Sequence, residues 1–292
     1  IHAGYSRERK DKMNIAVVGL GLIGGSFGRT AVKAGHEVFG ADRRDSVLIK
    51  AELLKAITGR LSEETAKNLD VLISAVNPSD FESSVSPYIP HLKSGAVVMD
   101  FCGTKRGVVS AMKRLSEKYG GLTFIGGHPM AGREFSGIEH SSATLFHKAS
   151  MILVPVKADI FALDEIKKLF LSLGFGEAVI TTAENHDRMI AFTSQECHVV
   201  SNAFVKSPRA KEHFGYSAGS YKDMTRVARL SPAMWTELML ENADYLAEEL
   251  DILVENLQKY SAAIKRGDKK ELFDLLAEGN EIKLAIDVNK AK

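Results

Sequence analysis

One histidine of this chain lies in a glycine-rich stretch, where an imidazole is well placed to exchange a proton with a bound molecule. The stretch runs from Gly126 to Gly137 and reads Gly-Gly-His-Pro-Met-Ala-Gly-Arg-Glu-Phe-Ser-Gly. It follows the apolar run Thr123–Ile125, which is typical of a strand, so His128 is predicted in a loop at the end of a strand. Holding such a loop in one conformation costs entropy, which favours a functional role. A surface turn with an incidental histidine is the alternative.

A second glycine-rich stretch has the spacing of a dinucleotide-binding turn. The apolar run Asn14–Val18 predicts a buried parallel strand. The sequence Gly19-Leu20-Gly21-Leu22-Ile23-Gly24 follows it and opens a helix predicted over about Leu22–Lys33. In such a turn the three glycines permit the tight bend, the close approach of a pyrophosphate and the packing of the helix. The first amides of the helix and its dipole favour phosphate.

An acid at the end of the next predicted strand indicates which nucleotide binds. Asp42 ends the strand Glu37–Asp42, 21 residues beyond Gly21, close to the spacing at which a carboxylate accepts hydrogen bonds from a ribose. Its charge should repel a 2′-phosphate and favours NAD over NADP, although Arg43 and Arg44 would soften that preference. The predicted cofactor contacts are Gly19, Gly21, Leu22, Ile23, Gly24, Asp42, Arg43, Ala75 and Val76. Cys102 and Cys197 have no metal-ligand spacing, and no metal site is predicted.

These candidate residues belong to a segment in which strands alternate with helices. Further strands are predicted at Asp70–Val76, Ala96–Phe101, Thr123–Ile125, Met151–Val154 and Ala178–Ile180. The alternation predicts a largely parallel, doubly wound sheet, in which ligands bind beyond the carboxyl ends of the strands. His128, Thr104 and the turn at Gly19 all follow strands, so we expect the sheet to bring them to one rim.

After about Thr182 the pattern is helical. A helix predicted over Glu184–Lys206 carries His186, Ser194 and His198, whose separations of eight and four residues put them near one face. A polar face of this kind lines a site or points to solvent, and the second reading is favoured when the histidines are considered alone.

A long helix is predicted later in the chain. Ser231 and Pro232 have the form of a helix start, and the helix is expected to run to about Lys265, where Gly267 ends it. At 1.5 Å per residue it would span roughly 50 Å, too long for one small domain to cover. Its apolar seam comprises Leu246, Leu250, Leu253, Leu257, Tyr260 and Ile264. We therefore predict that the seam is buried in a symmetric homodimer.

Length and composition limit the remaining classes. The 292 residues are predicted to form two domains, residues 13–182 and 183–292. A net charge of +1 with dispersed charges gives no indication of binding to nucleic acid or membrane. The two cysteines read as reduced thiols, and we expect a cytoplasmic protein. Residues 1–12 are expected to be a leader or a disordered extension outside the fold.

Two blocks of this sequence resemble the prephenate and arogenate dehydrogenases of tyrosine biosynthesis. They are Gly127–Gly132 with Glu134 and Gly137, and Lys222–Arg226 followed by Trp235. The resemblance runs from Met13 to the end of the chain. It implies an N-terminal Rossmann-type domain and an all-helical dimerisation domain. It also implies an NAD-dependent oxidative decarboxylation of prephenate to 4-hydroxyphenylpyruvate.

The resemblance implies a role for each candidate residue. His128 matches the catalytic histidine, whose neutral imidazole, with an ordinary pKa near 6.5, accepts the hydroxyl proton. Thr104 matches a hydroxyl residue that steadies this histidine and the substrate oxygen. The residues implied to bind substrate are Arg226, His198, Ser194, Glu134 and His186. Arg133, Gln195 and Cys197 depart from the residues common at their positions in the family, and Cys197 is expected to be an inert buried thiol.

Several alternatives stay open. An arogenate dehydrogenase would differ only in the substrate side chain. Another reductase with a Rossmann and a helical dimer domain, such as an imine or β-hydroxyacid dehydrogenase, would leave the His128 block unexplained. A regulator that senses NAD without turnover is the candidate from another class.

Overall fold

The computed structural model describes residues 12–290, among which eight strands form one sheet. They are β1 (Asn14–Val18), β2 (Glu37–Ala41), β3 (Gly59–Arg60), β4 (Val71–Ser74), β5 (Val97–Asp100), β6 (Thr123–Pro129), β7 (Ser150–Lys157) and β8 (Glu177–Ile180). Their order is β3-β2-β1-β4-β5-β6-β7-β8. β1 to β6 are parallel, whereas β7 and β8 run in the opposite direction. The predicted doubly wound, largely parallel sheet is confirmed, with two reversed strands at one edge.

Helices cover both faces of the sheet. They are α1 (Leu22–Lys33), α2 (Asp45–Leu53), α3 (Glu63–Ala66), α4 (Phe81–Val85), α5 (Arg106–Lys118) and α6 (Ile160–Ser172). On one face, α1 and α6 enclose the rings of Phe27, Phe101 and Phe170, whose centroids lie 5.2–6.0 Å apart. α4 and α5 pack on the other face. Because both faces are covered, the central strands are apolar runs rather than alternating ones.

The strand that carries His128 is longer than its apolar run. β6 continues through Gly126 to Pro129 because the antiparallel strand β7 pairs with these residues, with His128 opposite Ile152. The sequence prediction ended the strand at Ile125, since glycine and proline are depleted in strands. The prediction that His128 lies in a loop is therefore wrong: it occupies regular backbone near the carboxyl end of β6.

The helical part also contains a change of helix geometry where one continuous α-helix is predicted. α7 (Ala183–Ile190) is followed by a π-helical segment, Ala191–Glu196, and then by α8 (Cys197–Phe204). In an uninterrupted α-helix the 12 residues from His186 to His198 would leave the two side chains about 120° apart. The i→i+5 bonds of the π segment take in more residues per turn and reduce that angle.

The long helix predicted from Ser231 to Lys265 is two helices. α9 (Gly219–Thr225) precedes them, α10 (Pro232–Glu241) ends at Asn242, and α11 (Ala243–Arg266) ends at Gly267 with φ +67° as predicted. The helix is broken at Asn242, whose φ of −120° and ψ of 27° are not helical. Its side chain is fully buried and donates to neighbouring elements. The single 50 Å helix is therefore wrong, since α11 spans about 36 Å at 1.5 Å per residue.

The last helix packs against α11, and the first described residue contacts β2. α12 (Lys269–Lys290) packs along α11, where the Tyr260 hydroxyl donates to the carbonyl oxygen of Leu275 at 3.0 Å. None of the described helices is long and apolar enough to cross a bilayer. Most of the expected leader, residues 1–11, lies outside the described residues. Lys12 is part of the fold, since its ammonium group lies 2.6 Å from a carboxylate oxygen of Glu37.

Candidate active site

The glycine turn after β1 has the shape that a dinucleotide requires. Gly19 has φ +89°, and a Cβ there would lie 2.7 Å from the carbonyl oxygen of Ala75. A Cβ at Gly24 would lie 1.9 Å from the carbonyl oxygen of Gly19. At Gly21, by contrast, no atom lies within 4 Å of the Cβ position, so this residue borders open space. α1 has no side-chain cap and no acid in its first turn, which leaves its N-terminus suited to phosphate.

The acid after β2 lies beside this turn. One carboxylate oxygen of Asp42 accepts a hydrogen bond from the backbone N–H of Leu20 at 3.0 Å, and the other accepts from that of Arg44 at 3.0 Å. Four lone pairs on a carboxylate leave room for ribose hydroxyls as well. Arg43 and Arg44 are exposed beside it, and Val76, after β4, packs against Gly19. The predicted cofactor residues therefore come together and fit the adenosine and phosphate part of NAD.

His128 is hydrogen-bonded to a second histidine. Its Nδ1 lies 2.9 Å from Nε2 of His186, although 58 residues separate the two in the chain. The Nδ1 of His186 lies 2.7 Å from a carboxylate oxygen of Asp187. A chain of three side chains thus runs from a buried carboxylate to the imidazole near the end of β6, where His128 is half-buried.

Asp187 is held in place by the start of α5. Besides His186, its carboxylate accepts hydrogen bonds from the backbone N–H groups of Lys105 at 2.7 Å and Arg106 at 2.9 Å, and from Nε of Arg106 at 3.2 Å. Backbone N–H groups at a helix start favour an anion. Burial raises the pKa of Asp187, but the hydrogen bonds from His186 and Arg106 outweigh it and lower the pKa below its ordinary value. Asp187 is therefore ionised at neutral pH.

The charge on Asp187 decides the proton positions along the chain. An ionised carboxylate only accepts hydrogen bonds, so Nδ1 of His186 carries a proton. Burial lowers the pKa of His186, so its ring is neutral and its Nε2 is an acceptor. Nδ1 of His128 must then donate to it, and the lone pair of His128 is left on Nε2. The arrangement can accept a proton at that nitrogen.

Electrostatics keep His128 neutral. Burial lowers the pKa of His128 well below its ordinary value of 6.5, and the neighbouring His186 and Lys105 act in the same direction. The Lys105 ammonium group is fully buried and donates to Asp100 and to the carbonyl oxygen of Cys102. Asp100 also accepts from the backbone N–H of Gly127 at 3.0 Å. This buried ion pair joins the end of β5 to Gly127, the residue before His128.

A second group of predicted residues lies in the helical part and in the segment after β6. Nη1 of Arg226 lies 3.0 Å from a carboxylate oxygen of Glu134, with two thirds of the Arg226 side chain exposed (67%). Its own backbone N–H and Arg226 lower the pKa of Glu134. Nδ1 of His198 donates to the carbonyl oxygen of Val227 at 3.0 Å, and its ring packs on Trp235 with centroids 3.9 Å apart. Trp235 therefore packs against a predicted pocket residue.

Two predicted residues have surroundings that the sequence did not indicate. The Thr104 hydroxyl donates to a carboxylate oxygen of Glu241 at 2.5 Å, and among the described residues it makes no hydrogen bond with His128. The side chain that is hydrogen-bonded to His128 is His186 instead. Ser194 is half-buried in the π-helical segment, and within the described residues its hydroxyl has no protein partner.

The three residues that depart from the family pattern differ in kind. Gln195 is buried, donates to the carbonyl oxygen of Leu238 at 2.9 Å and accepts from Asn242 at 2.8 Å, so it holds the π-helical segment against α10 and α11. Cys197 is exposed, so the prediction of a buried thiol is wrong. Partial desolvation of its sulfur and the nearby charge of Glu196 raise the pKa of the thiol. Arg133 is exposed next to Glu134.

Sequence reasoning missed three residues that hold the site together: Asp187, Lys105 and Asn242. Asn242 donates to the backbone carbonyl oxygen of Asp187 at 2.8 Å and accepts from Arg106 at 3.0 Å. The only local indication of the hydrogen bond between His186 and Asp187 was that the two residues are adjacent in sequence. This indication is weak, because successive residues of a helix ordinarily point in different directions. Among the described residues, no group of three or more His, Cys, Asp or Glu side chains is arranged to hold a metal ion.

Comparisons with known proteins show which family this chain resembles. A family described as the prephenate dehydrogenase nucleotide-binding domain matches residues 27–179, and the prephenate dehydrogenase dimerization domain matches residues 182–278. A prephenate dehydrogenase of Bacillus subtilis is 30% identical over 276 residues, which cover 90% of this chain and 73% of that protein.

Two solved structures are similar over nearly the whole chain. The prephenate dehydrogenase of A. aeolicus, in complex with hydroxyphenyl propionate and NAD+, is 26% identical with a TM-score of 0.81 and covers 96% of this chain and 100% of its own. The arogenate dehydrogenase of Synechocystis is 25% identical with a TM-score of 0.78 and covers 94% of this chain and 100% of its own.

Proposed function

This chain belongs to the prephenate dehydrogenase family, and we propose that His128 accepts the hydroxyl proton in its NAD-dependent oxidative decarboxylation of prephenate. The products are 4-hydroxyphenylpyruvate, carbon dioxide and reduced cofactor. When bound, NAD would supply the acceptor for the hydride that leaves the ring carbon bearing the hydroxyl group. Because the ring becomes aromatic when the carboxylate departs, the protein has mainly to orient the substrate and to remove one proton.

The observation that carries this assignment is the hydrogen-bonded chain from Asp187 through His186 to His128. It leaves the lone pair on Nε2 of His128, and it holds the ring at the end of β6. A neutral base is required for proton removal, and the imidazole of His128, whose pKa is well below its ordinary value, is neutral across the physiological range. His186 and Asp187 act through His128 as positioning residues.

Arg226, His198, Ser194 and Glu134 are proposed to bind the substrate. The guanidinium group of Arg226 suits a carboxylate, and its present partner, Glu134, is exposed enough to exchange for one. His198 is held through Nδ1 by Val227, so its Nε2 is left for a ligand. Thr104 donates to Glu241, and the lone pairs on its hydroxyl oxygen stay available to accept a hydrogen bond.

Replacing Arg226 with alanine is expected to raise the KM for prephenate by roughly 10- to 100-fold, with kcat within about threefold of the wild type. A charge-assisted hydrogen bond contributes about 1.5–3 kcal/mol, and the freed Glu134 would repel the substrate. Steady-state kinetics with Arg209→Ala, which removes an exposed arginine that pairs with Glu212, provide the matched control. An unchanged KM would remove Arg226 from the site.

Prephenate is favoured over arogenate by the state of Glu134. An acid near the substrate side chain would attract the ammonium group of arogenate. Glu134 is the acid of this group, but the exposed Arg133 beside it adds a positive charge that offsets it. Prephenate, a keto acid without an ammonium group, therefore matches the charge of this region better than arogenate does.

A four-way comparison of prephenate or arogenate with NAD or NADP tests the substrate and cofactor together. We expect the highest kcat/KM with prephenate and NAD, and at least about tenfold lower values when either is exchanged, which corresponds to about 1.4 kcal/mol for one misplaced charge. A higher value with arogenate would assign the chain to arogenate oxidation. No product with either substrate would favour an NAD-sensing regulator.

We also propose how the chain divides into domains. Residues 13–182 are assigned to the NAD-binding Rossmann domain and residues 183–292 to the helical domain, since β8 ends at Ile180 and α7 begins at Ala183. We propose a cytoplasmic homodimer formed through the helical domain. Its support is the apolar surface on α11 and α12, where Ile252, Val254, Leu257, Ile264, Phe273, Leu276, Ile282, Leu284 and Ile286 are exposed.

A further inference from the structure

Two carboxylates on α10 reach across to the loops that follow the central strands. Glu237 accepts hydrogen bonds from Nδ2 of Asn77 at 3.0 Å and from the Ser79 hydroxyl at 2.6 Å. Glu241, one helical turn later, accepts from the Thr104 hydroxyl at 2.5 Å. Asn77 and Ser79 follow β4, and Thr104 follows β5. The helical domain thus places two negative charges against the carboxyl edge of the sheet.

Neither carboxylate has a cationic partner within the part of the chain that the structure describes. Every hydrogen-bond donor to them is a neutral amide or hydroxyl group. The other acids around the site are paired: Asp100 with Lys105, Asp187 with Arg106, and Glu134 with Arg226. Burial raises the pKa of Glu241, the hydrogen bond from Thr104 lowers it, the charges of Glu237 and Asp187 raise it further, and the charge of Lys105, which makes no ion pair with Glu241, lowers it. Glu241 is exposed and Glu237 is half-exposed, so their charges are open to a cationic ligand bound at this edge of the sheet.

The topology identifies the part of the cofactor that lies there. In this fold one half of a dinucleotide lies over β1 to β3 and the other over β4 to β6, on either side of the point where the strand order reverses. Asp42, at the end of β2, marks the adenosine half. The nicotinamide half therefore lies over β4 to β6, the same strands whose following residues bond to Glu237 and Glu241. The ring of NAD+ is cationic, whereas that of NADH is neutral.

We propose that Glu237 and Glu241 supply the negative charge that makes this site prefer the oxidised over the reduced nicotinamide. The pair acts on the charge of the ring, so it favours binding of the substrate form of the cofactor and release of the product form. At an effective dielectric constant of 20, one unit charge several ångströms from another changes binding by on the order of tenfold. The inference depends on NAD binding and not on the role of His128, so its test requires no substrate.

The test is calorimetric titration of the full-length protein with NAD+ and separately with NADH, without prephenate. In Glu241→Gln the amide oxygen still accepts from Thr104 while the charge is lost. We expect the Kd for NAD+ to rise about tenfold and the Kd for NADH to change less than twofold. Glu278→Gln, an exposed acid on α12, is the matched control and should change neither. Glu241→Asp keeps the charge and should keep most of the preference.

Two outcomes would overturn the proposal. An unchanged ratio of the two Kd values in Glu241→Gln would show that the charge does not act on the ring. An equal rise in both Kd values would assign Glu241 a structural role in joining the domains. If Glu241→Gln does not fold, Glu237→Gln provides the same comparison, and the same two outcomes apply to it.

Discussion

Replacing His128 with asparagine is expected to lower kcat by roughly 10²- to 10⁴-fold, the usual contribution of a positioned general base. Asparagine fits the space of an imidazole beside His186 but cannot take up a proton from the substrate hydroxyl. The Kd for NAD should stay within about twofold, because the glycine turn and Asp42 are untouched. Pre-steady-state turnover with saturating prephenate, together with calorimetry for NAD, measures the two effects separately.

The pH dependence of the wild-type enzyme gives this prediction a second readout. Since burial lowers the pKa of His128 well below 6.5, the imidazole stays neutral as the pH falls through that value. kcat should therefore persist below pH 6.5 and decline only when the pH reaches the lowered pKa, where protonation removes the acceptor. His147→Asn, which removes an exposed histidine, should leave both the rate and the profile unchanged. Near-normal turnover in His128→Asn would contradict the assignment.

Replacing Asp187 with asparagine is expected to lower kcat by roughly 10²- to 10⁴-fold even though Asp187 does not contact the substrate. An amide can donate where the carboxylate could only accept. His186 would then present its Nδ1 lone pair to the new amide and carry its proton on Nε2. That proton would be donated to Nδ1 of His128, which moves the remaining proton of His128 to Nε2 and removes the lone pair used as base. Loss of the correct tautomer has an effect of this size in a carboxylate–histidine pair of another enzyme class.

The control for Asp187→Asn must separate the tautomer from the loss of structure around α5. Asp244→Asn serves, because Asp244 also bonds to Arg106, at 2.5 and 2.7 Å, but has no contact with His186. We expect Asp244→Asn to retain nearly full kcat. In Asp187→Asn the KM for prephenate should change much less than kcat, and nitrogen-15 NMR should show the proton of His128 on Nε2. A wild-type kcat in Asp187→Asn would exclude the hydrogen-bonded chain from catalysis.

Much of the nucleotide half could be predicted because its signals are local. Gly19 and Gly24 occupy positions where any Cβ would collide with backbone atoms, so the turn itself specifies the residue type. β1 and α1 were predicted with the bounds that the structure has, since an apolar run and a helical period need only neighbours in sequence. The short edge strand β3, only two residues long, carries no comparable pattern.

The environment of His128 depended on partners far away in sequence. β6 continues to Pro129 only because β7 pairs with it, and no pattern within β6 itself predicts this pairing. The bonding partner predicted for the imidazole was Thr104, whereas the structure brings His186 to it and turns Thr104 toward Glu241. Which side chain meets another across 58 residues is a property of packing, not of spacing.

The sequence alone determined that this chain binds a dinucleotide on a doubly wound sheet and, through its resemblance, the family to which it belongs. Only the tertiary structure decided that Asp187, acting through His186, determines which ring nitrogen of His128 carries the proton. It also decided that a π-helical segment and a break at Asn242 divide helices that were predicted to be continuous. The physical reason is the range of the forces involved. Backbone sterics and hydrophobic period act between neighbours in the chain, whereas the tautomer of an imidazole is decided by whichever acceptor the folded chain brings within hydrogen-bond distance.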